Sequence, residues 1–361
     1  MKRFSCIVAI AVVVLAPSVF AQPAHELPRP AVQAPLASES LILHIVQTPR
    51  NLVAVGERGH ILHSGDGRNW TQADFVPVQA TLTRVAYADG RLWAVGHDST
   101  IIHSYDFGET WSLQHFEPEW EQPLLDVHFF DRENGLAIGA YGLFMRTEDA
   151  GRHWDVLDMA DLVTSEAIDW DEAAMLMAID DDLGFEDLVD DWGDDEYYDA
   201  AMDFDRGCYE FMECHLNAFL VLDDGRQMIA AERGYGFRSV DEGETWESFR
   251  FPYSGSMFGL LAFDESSILA FGLRGHVQRS EDFGDSWEIL ESGLQSTLKG
   301  ATLDRDGNPL MVGSGAARLR YLPASGEFVL NEDRLGSDYV AVQIAPDGGV
   351  VLAGSDGLSY E

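Results

Sequence analysis

The chain has 361 residues, with 62 Asp and Glu against 23 Lys and Arg and a formal net charge of -39. Such an excess of acids argues against nucleic acid and anionic lipid surfaces as partners of the whole molecule. A hydrophobic fraction of 46% still supplies enough apolar side chains for packed cores, which excludes a disordered chain.

Residues 1–21 are predicted to be a secretory signal peptide. Lys2 and Arg3 precede an apolar run, and Ala21 ends a short stretch that offers small residues for cleavage. The run is too short to span a bilayer, and no later stretch reaches the required length. We therefore expect an exported, periplasmic protein that does not itself span the membrane.

From residue 37 to residue 361 the chain repeats one unit. Trp70 and Trp111 are 41 residues apart, Trp111 and Trp154 are 43 apart, and Trp246 and Trp287 are again 41 apart. Each unit contains four short apolar runs separated by Gly and Asp turns, which is typical of a four-stranded propeller blade. The sequence therefore predicts an all-β, seven-bladed β-propeller of four-stranded antiparallel blades, with inner strands beginning near Leu41, Leu82, Leu124, Leu216, Phe258, Leu298 and Tyr339.

A recurring phrase, Ser/Thr-x-Asp-x-Gly-x-x-Trp, precedes the fourth strand of a unit, and we call it the Asp-turn. The Asp carboxylate can accept backbone N–H groups, the Gly supplies an unusual backbone angle, and the Trp can anchor the next strand. We interpret the Asp-turns as structural and not catalytic, and the residue before three of them (Arg146, Arg238 and Arg279) as part of a solvated outer strand. The Asp-turn residues are Asp66, Trp70, Ser104, Asp106, Gly108, Trp111, Asp149, Gly151, Trp154, Ser239, Asp241, Gly243, Trp246, Ser280, Asp282, Gly284 and Trp287.

The last unit contains three strand candidates. An open edge is rarely tolerated in a sheet. The Pro-rich segment of residues 22–36, with Pro28, Pro30 and Pro35, suits an edge strand. We expect residues 31–36 to supply the fourth strand of the last blade and so to close the ring.

An acidic insertion, residues 158–215, separates the third and fourth blades. It holds 21 Asp and Glu against Arg206 and has no Asp-turn phrase, but parts of it have helical spacing. Three interpretations remain open: a solvated acidic loop with short helices, a docking segment for a basic partner, and a calcium site.

Two cysteines follow the signal peptide. Cys208 and Cys214 are predicted to form a local disulfide in an oxidising compartment, with a pair of reduced, buried thiols as the alternative.

The repeat resembles a known group of proteins. The Asp-turn is similar to the Asp-box, or bacterial neuraminidase repeat. The fuller unit, from Ala94-Val95-Gly96 through Ile102-His103-Ser104 to Gly108-Glu109-Thr110-Trp111, resembles the photosystem II stability/assembly factor family of seven-bladed propellers. The resemblance implies a non-catalytic, monomeric protein that binds a subunit of a membrane complex. The resemblance implies photosystem II as that complex in a photosynthetic host, where the protein is lumenal or periplasmic, and a membrane transporter in another host.

The predicted partner-binding residues share one position of the repeat. Arg58, Arg233 and Arg274 lie in the turn between the second and third strands, and Tyr141 occupies the same position in the third blade. Arg suits planar, bidentate contacts with carboxylates, and an Arg-lined face is similar to the partner-binding patch proposed for the family. The alternative is that repeated loops simply keep a repeated residue.

An Asp-box glycoside hydrolase, either sialidase-like or glucanase-like, is the alternative function. The three arginines could mimic the carboxylate-binding triad of a sialidase, but no Arg-Ile-Pro segment and no Tyr–Glu pair can be placed. The sequence also nominates no pair of catalytic carboxylates. We expect no catalytic residue, no cofactor and no metal site.

Overall fold

The computed structural model describes residues 28–164, 214–332 and 336–361. Within these ranges 27 strands form seven sheets, six of four strands and one of three. The strands of each sheet are consecutive along the chain and antiparallel. The predicted seven-bladed propeller is therefore confirmed. The predicted signal peptide, residues 1–21, lies outside the described residues.

The blades are numbered in chain order. Blade 1 has β1 (Ile42–Gln47), β2 (Leu52–Gly56), β3 (Ile61–Ser64) and β4 (Thr71–Gln72). Blade 2 has β5 (Leu82–Ala88), β6 (Arg91–Gly96), β7 (Thr100–Ser104) and β8 (Ser112–His115). Blade 3 has β9 (Leu124–Phe129), β10 (Gly135–Gly139), β11 (Phe144–Thr147) and β12 (Asp155–Leu157), followed by the short helix α1 (Met159–Leu162). Blade 4 has β13 (Leu216–Val221), β14 (Gln227–Ala231), β15 (Tyr235–Ser239) and β16 (Glu247–Arg250). Blade 5 has β17 (Met257–Ala262), β18 (Ile268–Gly272), β19 (Val277–Ser280) and β20 (Glu288–Leu290). Blade 6 has β21 (Leu298–Leu303), β22 (Pro309–Gly313), β23 (Ala317–Leu322) and β24 (Glu327–Glu332). Blade 7 has β25 (Tyr339–Ile344), β26 (Val350–Gly354) and β27 (Gly357–Tyr360).

The first strand of each blade lines the centre of the ring. β1 contacts β5, and the series continues around the ring until β25 contacts β1. In all seven blades the ladder between the first and second strands shifts register at the start of the inner strand. Such a bulge increases the local twist and redirects side chains. The inner strands of all seven blades therefore begin with the same distortion.

The second strands form the most buried layer. Every residue of β2, β10, β14, β18 and β22 is buried, because each strand has a neighbour on both sides and a blade packed on both faces. Most of these strands end in Gly. A Cβ on Gly56 would lie 2.1 Å from the Leu41 carbonyl oxygen, so the backbone can approach that closely only without a side chain.

The Asp-turn tryptophans fill the junctions between blades. Trp111 packs with residues of blades 1 and 2, and Trp246 packs with Phe144 of blade 3. Both side chains are almost fully buried, at 2% and 0% exposure. Each large indole thus joins its own blade to the preceding one, as the sequence predicted for an anchoring residue.

Residues 31–36 do not form a strand, and within the described residues the blade 7 sheet has three strands. The prediction that this segment completes blade 7 is therefore wrong. The segment lies along blade 1 instead: Ala31 N donates to Val76 O at 2.9 Å, and Ala34 N donates to Gln72 Oε1 at 2.9 Å. Gln72 Nε2 also donates to Val32 O at 3.0 Å, so one glutamine amide takes the place of a backbone partner.

Blade 7 joins blade 1 through side chains. Ala341, Val351 and Ala353 pack against apolar residues of β1 and β2. Arg68 of blade 1 pairs with Asp347 at 2.7 Å, and its guanidinium lies 3.9 Å from the centre of the Tyr360 ring.

The two ends of the predicted insertion belong to the propeller core. Met159 in α1 and Val163 are buried beside Trp246, and Cys214 is buried where the chain returns. Trp246 N donates to Leu162 O at 2.9 Å. Residues 165–213 lie outside the described residues, and with them most of the predicted acidic insertion.

Candidate functional site

The Asp-turns have the geometry that their sequence predicts. In blade 2, Gly108 N donates to Ser104 Oγ at 3.0 Å, and Thr110 N and its hydroxyl donate to the Asp106 carboxylate at 2.9 and 2.6 Å. Trp111 Nε1 donates to Gly108 O at 3.1 Å. The same Asp contacts recur at Asp66, Asp149, Asp241 and Asp282. These carboxylates are occupied by their own turns, which supports a structural role.

The predicted partner-binding residues share one backbone conformation. Arg58, Tyr141, Arg233 and Arg274 have φ of 55°, 54°, 57° and 54°, each in the middle of a one-turn 3-10 segment. Few residues other than Gly adopt this left-handed region. It directs the side chain away from the sheet, and all four side chains are exposed.

All four residues lie on one face of the ring but not in one cluster. Turns between second and third strands lie on the face opposite the Asp-turns, and we call it the arginine face. Arg233 and Arg274 are on neighbouring blades 4 and 5, and Tyr141 is next to them on blade 3. Arg58 is on blade 1, with one blade between it and Tyr141 in one direction and two blades between it and Arg274 in the other.

A further arginine, which the sequence analysis missed, lies beside Arg233. The Arg250 guanidinium stacks on the Tyr235 ring at 3.7 Å, and its Nη1 donates to the Arg233 carbonyl oxygen at 3.1 Å. The Tyr253 ring stacks on the ring of His276, two residues after Arg274, with ring centres 3.6 Å apart. Arg250 ends a fourth strand and is not repeated in other blades, so repeat comparison gave no signal for it.

Four guanidinium groups on the arginine face have no carboxylate partner within the described ranges. The ion pairs there do not include Arg233, Arg250 or Arg274, nor do they include Arg58. These groups are therefore available to an external anion.

The returning end of the insertion contacts the arginine face. Cys214 O accepts a hydrogen bond from Gly142 N at 2.8 Å, and the Tyr141 ring meets the His215 ring edge-to-face at 5.0 Å. His215 Nδ1 lies 3.2 Å from a Glu232 carboxylate oxygen. Cys214 is disulfide-bonded, whereas Cys208, its predicted partner, lies outside the described residues.

The ring centre contains a second group of polar side chains that repeat analysis did not reveal. Arg84 Nε lies 2.9 Å from Asp126, whose carboxylate also accepts from Val127 N at 2.8 Å and Phe219 N at 2.9 Å. Burial raises the pKa of Asp126, and Arg84 opposes that rise. Burial, assisted by the Arg84 charge, lowers the pKa of His128 to about 4.

Within the described ranges, no group of three or more His, Cys, Asp or Glu side chains is placed to hold a metal ion. The calcium interpretation of the insertion falls on residues outside those ranges. None of the helices in the described part of the chain has the length and apolar character needed to cross a membrane.

Comparison with known proteins shows similarity in structure only. No protein-family model matches the sequence, and no curated protein matches it. The fold is similar to YCF48 bound to D1 peptide (14% identity, 92% of this chain and 98% of that chain, TM-score 0.62). It is also similar to YCF48 from Cyanidioschyzon merolae (15% identity, 90% and 96%, TM-score 0.62). A streptogramin B lyase structure is similar to the same degree (10% identity, 90% and 95%, TM-score 0.64). At these identities the likeness shows the propeller fold alone.

Proposed function

We propose that this chain is an exported, non-catalytic propeller whose arginine face binds an acidic segment of a membrane-protein subunit and assists the assembly or stability of its complex. In a photosynthetic host that complex is photosystem II and the protein is periplasmic or lumenal. In another host it is a membrane transporter.

The observation that carries the proposal is the unpaired state of Arg233, Arg250 and Arg274. In a chain with 62 acidic residues, exposed guanidinium groups have many possible internal partners. Because these guanidinium groups are not paired with carboxylates of the chain, their N–H donors are free to bind a carboxylate of another molecule. Stacking of Arg250 on Tyr235 also fixes one of the three groups, which lowers the entropy lost on binding.

Two further features are consistent with a peptide partner. The aromatic rings of Tyr141, Tyr235 and Tyr253 lie on or beside the same loops, and Tyr141 is 50% exposed. Tyr and Arg are enriched at the centres of protein interfaces. A propeller of the same fold, YCF48, is seen with a D1 peptide, which shows that this architecture can hold a peptide.

The test is binding of a fluorescein-labelled acidic peptide with a free C-terminal carboxylate, followed by anisotropy. We expect the R233A/R274A variant to bind about thirtyfold more weakly, because two charge-assisted contacts worth about 1 kcal/mol each are lost. Arg152→Ala is the matched control, since Arg152 is exposed on the opposite face and makes no ion pair in the described ranges. Its affinity should equal that of the unmodified protein.

A loss of binding free energy in Arg152→Ala that is half the loss in R233A/R274A would show that only the overall charge matters, because the control removes one charge and the double variant two. That result would contradict the proposed site. Turnover of a panel of fluorogenic glycosides by the purified protein would contradict the non-catalytic role and favour the glycoside hydrolase alternative. If the peptide experiment supports the site, the tagged protein can be used to capture its partner from membrane extracts and so identify it.

A further inference from the structure

The Asp-turn face over blades 3 and 4 contains a cleft, which we call the acidic cleft. Asp131 from the first hairpin of blade 3 and Glu148 from its Asp-turn form one side. Asp241, Glu242 and Glu244 from the Asp-turn of blade 4 form the other. Five carboxylates face one guanidinium there, that of Arg146, which is already paired with Glu244 at 2.7 Å.

A buried amide adds an acceptor at the acidic cleft. Gln227 is 1% exposed and lines the cleft, yet its Oε1 accepts no hydrogen bond from any described residue. A Cβ placed on Gly243 would lie 2.9 Å from that oxygen, so Oε1 lies directly beneath the turn that carries the blade 4 acids. A buried acceptor without a donor is costly, and a donor supplied from outside would remove that cost.

A second recess adjoins the acidic cleft across the turn before Gln227. Asp223, Asp224, Asp264 and Glu265 line it together with Phe263. Asp224 is already paired with Arg226 at 2.8 Å, which leaves the other three carboxylates to a ligand. Several of the acids on this face are held ionised by their own turns. Hydrogen bonds from the backbone N–H groups of Asn134 and Glu133 lower the pKa of Asp131, and the Thr245 hydroxyl lowers the pKa of Asp241.

From this arrangement we propose that the Asp-turn face of blades 3 to 5 is a binding surface for a basic, extended polypeptide segment rich in Lys or Arg. Ammonium and guanidinium groups are donors without acceptors, so they match carboxylates and the Gln227 amide oxygen alike. The aliphatic stems of such residues can cover the apolar parts of Phe130 and Phe263. A metal ion is a poor alternative, because the described acids do not converge on one point.

The surface is independent of the arginine face. It lies on the opposite side of the ring and attracts the opposite charge. A propeller with both surfaces can hold an acidic segment and a basic segment at the same time. Failure of one proposal therefore leaves the other intact.

The experiment must separate a local site from the attraction of a chain with a charge of -39. The binding variant is E148Q/D223N/E242Q/E265Q, four exposed acids on the Asp-turn face that make no hydrogen bond in the described ranges. The control variant is E57Q/E119Q/E121Q/E291Q, which removes four acids near the arginine face. Both variants lose the same charge.

Binding of a fluorescein-labelled, lysine-rich peptide is measured by anisotropy at several salt concentrations. We expect the binding variant to lose about tenfold in affinity and to show a weaker salt dependence, because four charge contacts are lost. The control variant should keep both quantities. Equal losses in the two variants, or no loss in either, would overturn the proposal.

Gln227→Leu supplies a second measurement that is insensitive to net charge. We expect lower affinity for the lysine-rich peptide with an unchanged affinity for the acidic peptide, since only the first peptide donates to the amide oxygen. Unchanged affinity for both peptides in a folded variant would remove Gln227 from the site and would contradict the proposed geometry.

Discussion

One buried carboxylate, Asp126, connects three blades at the ring centre. It accepts hydrogen bonds from its own blade at Val127, from blade 4 at Phe219 and from blade 2 at Arg84. His128 lies close by, and its ring packs on Phe219 at 5.9 Å. A carboxylate of this kind is stable in the interior only because each of its two oxygens has a donor. The cluster therefore fixes the relative positions of blades 2, 3 and 4.

The lowered pKa of His128 makes stability depend on pH. The folded protein keeps this imidazole neutral down to about pH 4, whereas the unfolded chain takes up a proton near pH 6.5. The unfolded state thus binds more protons between these values, and stability falls as the pH drops through them. Across this pH range the free energy of unfolding changes by about 3 kcal/mol because of His128.

Urea denaturation at a series of pH values measures this effect. We expect His128→Gln to flatten the decline between about pH 6.5 and about pH 4 relative to the unmodified protein. His153→Gln, at an exposed histidine of an Asp-turn, is the control and should leave the decline in place. An identical decline in His128→Gln would show that other groups cause it.

At the scale of elements, the third strands of blades 3 and 4 are each linked to the Asp-turn of the following blade. Arg146 Nη2 donates to Gly243 O at 2.7 Å, and Arg238 Nη1 donates to Phe283 O at 3.2 Å. Arg238 also pairs with Glu247 of its own blade and Asp285 of the next. The Arg146 and Arg238 side chains are only 19% and 15% exposed, so the interpretation of these positions as a solvated strand is wrong.

Removing the Arg238 link should weaken the junction between blades 4 and 5. We expect Arg238→Ala to lower the free energy of unfolding by about 1–2 kcal/mol, since charge-assisted hydrogen bonds are lost from a largely buried group. Chemical denaturation measures the difference. Arg152→Ala, an exposed arginine of an Asp-turn, should change stability by less than about 0.5 kcal/mol, and a similar loss there would contradict the role given to Arg238.

The inner strands could be predicted from the sequence because the same pattern of apolar runs and turns recurs in each repeat. Five inner strands begin at the predicted residue, and β1 and β17 begin one residue away, at Ile42 and Met257. Contacts that differ between blades were not predictable. Arg84 and Asp126 occupy the same position in blades 2 and 3 but pair only with each other, and the attachment of residues 31–36 to blade 1 depends on one side chain, Gln72.

At the scale of the whole molecule, charge is divided between two faces. The Asp-turn face carries the acidic cleft, and the opposite face carries the unpaired arginines. Residues 165–205, outside the described ranges, contain 17 acids and no Lys, Arg or His. The described chain resumes after this segment at the arginine face, where the His215 ring meets Tyr141.

Competition between this segment and an acidic partner is testable by deletion. We expect removal of residues 165–205, which leaves Cys208 and Cys214 in place, to raise the affinity for the acidic peptide about tenfold at low salt. A second variant keeps the segment length and replaces its acids by Asn and Gln. The same gain there would assign the effect to charge, and unchanged binding in both would contradict competition.

The junction of blade 7 with blade 1 has a mechanical consequence. Six blades present a four-stranded sheet to their neighbours, whereas the described part of blade 7 offers three strands. Its junction with blade 1 depends on Arg68 and an apolar cluster. Because the first and last blades share no strand in the described ranges, we expect their junction to be the weakest in the ring. Under load or heat the propeller should part there first, and the remaining arc could take up or release a bound chain without unfolding any sheet.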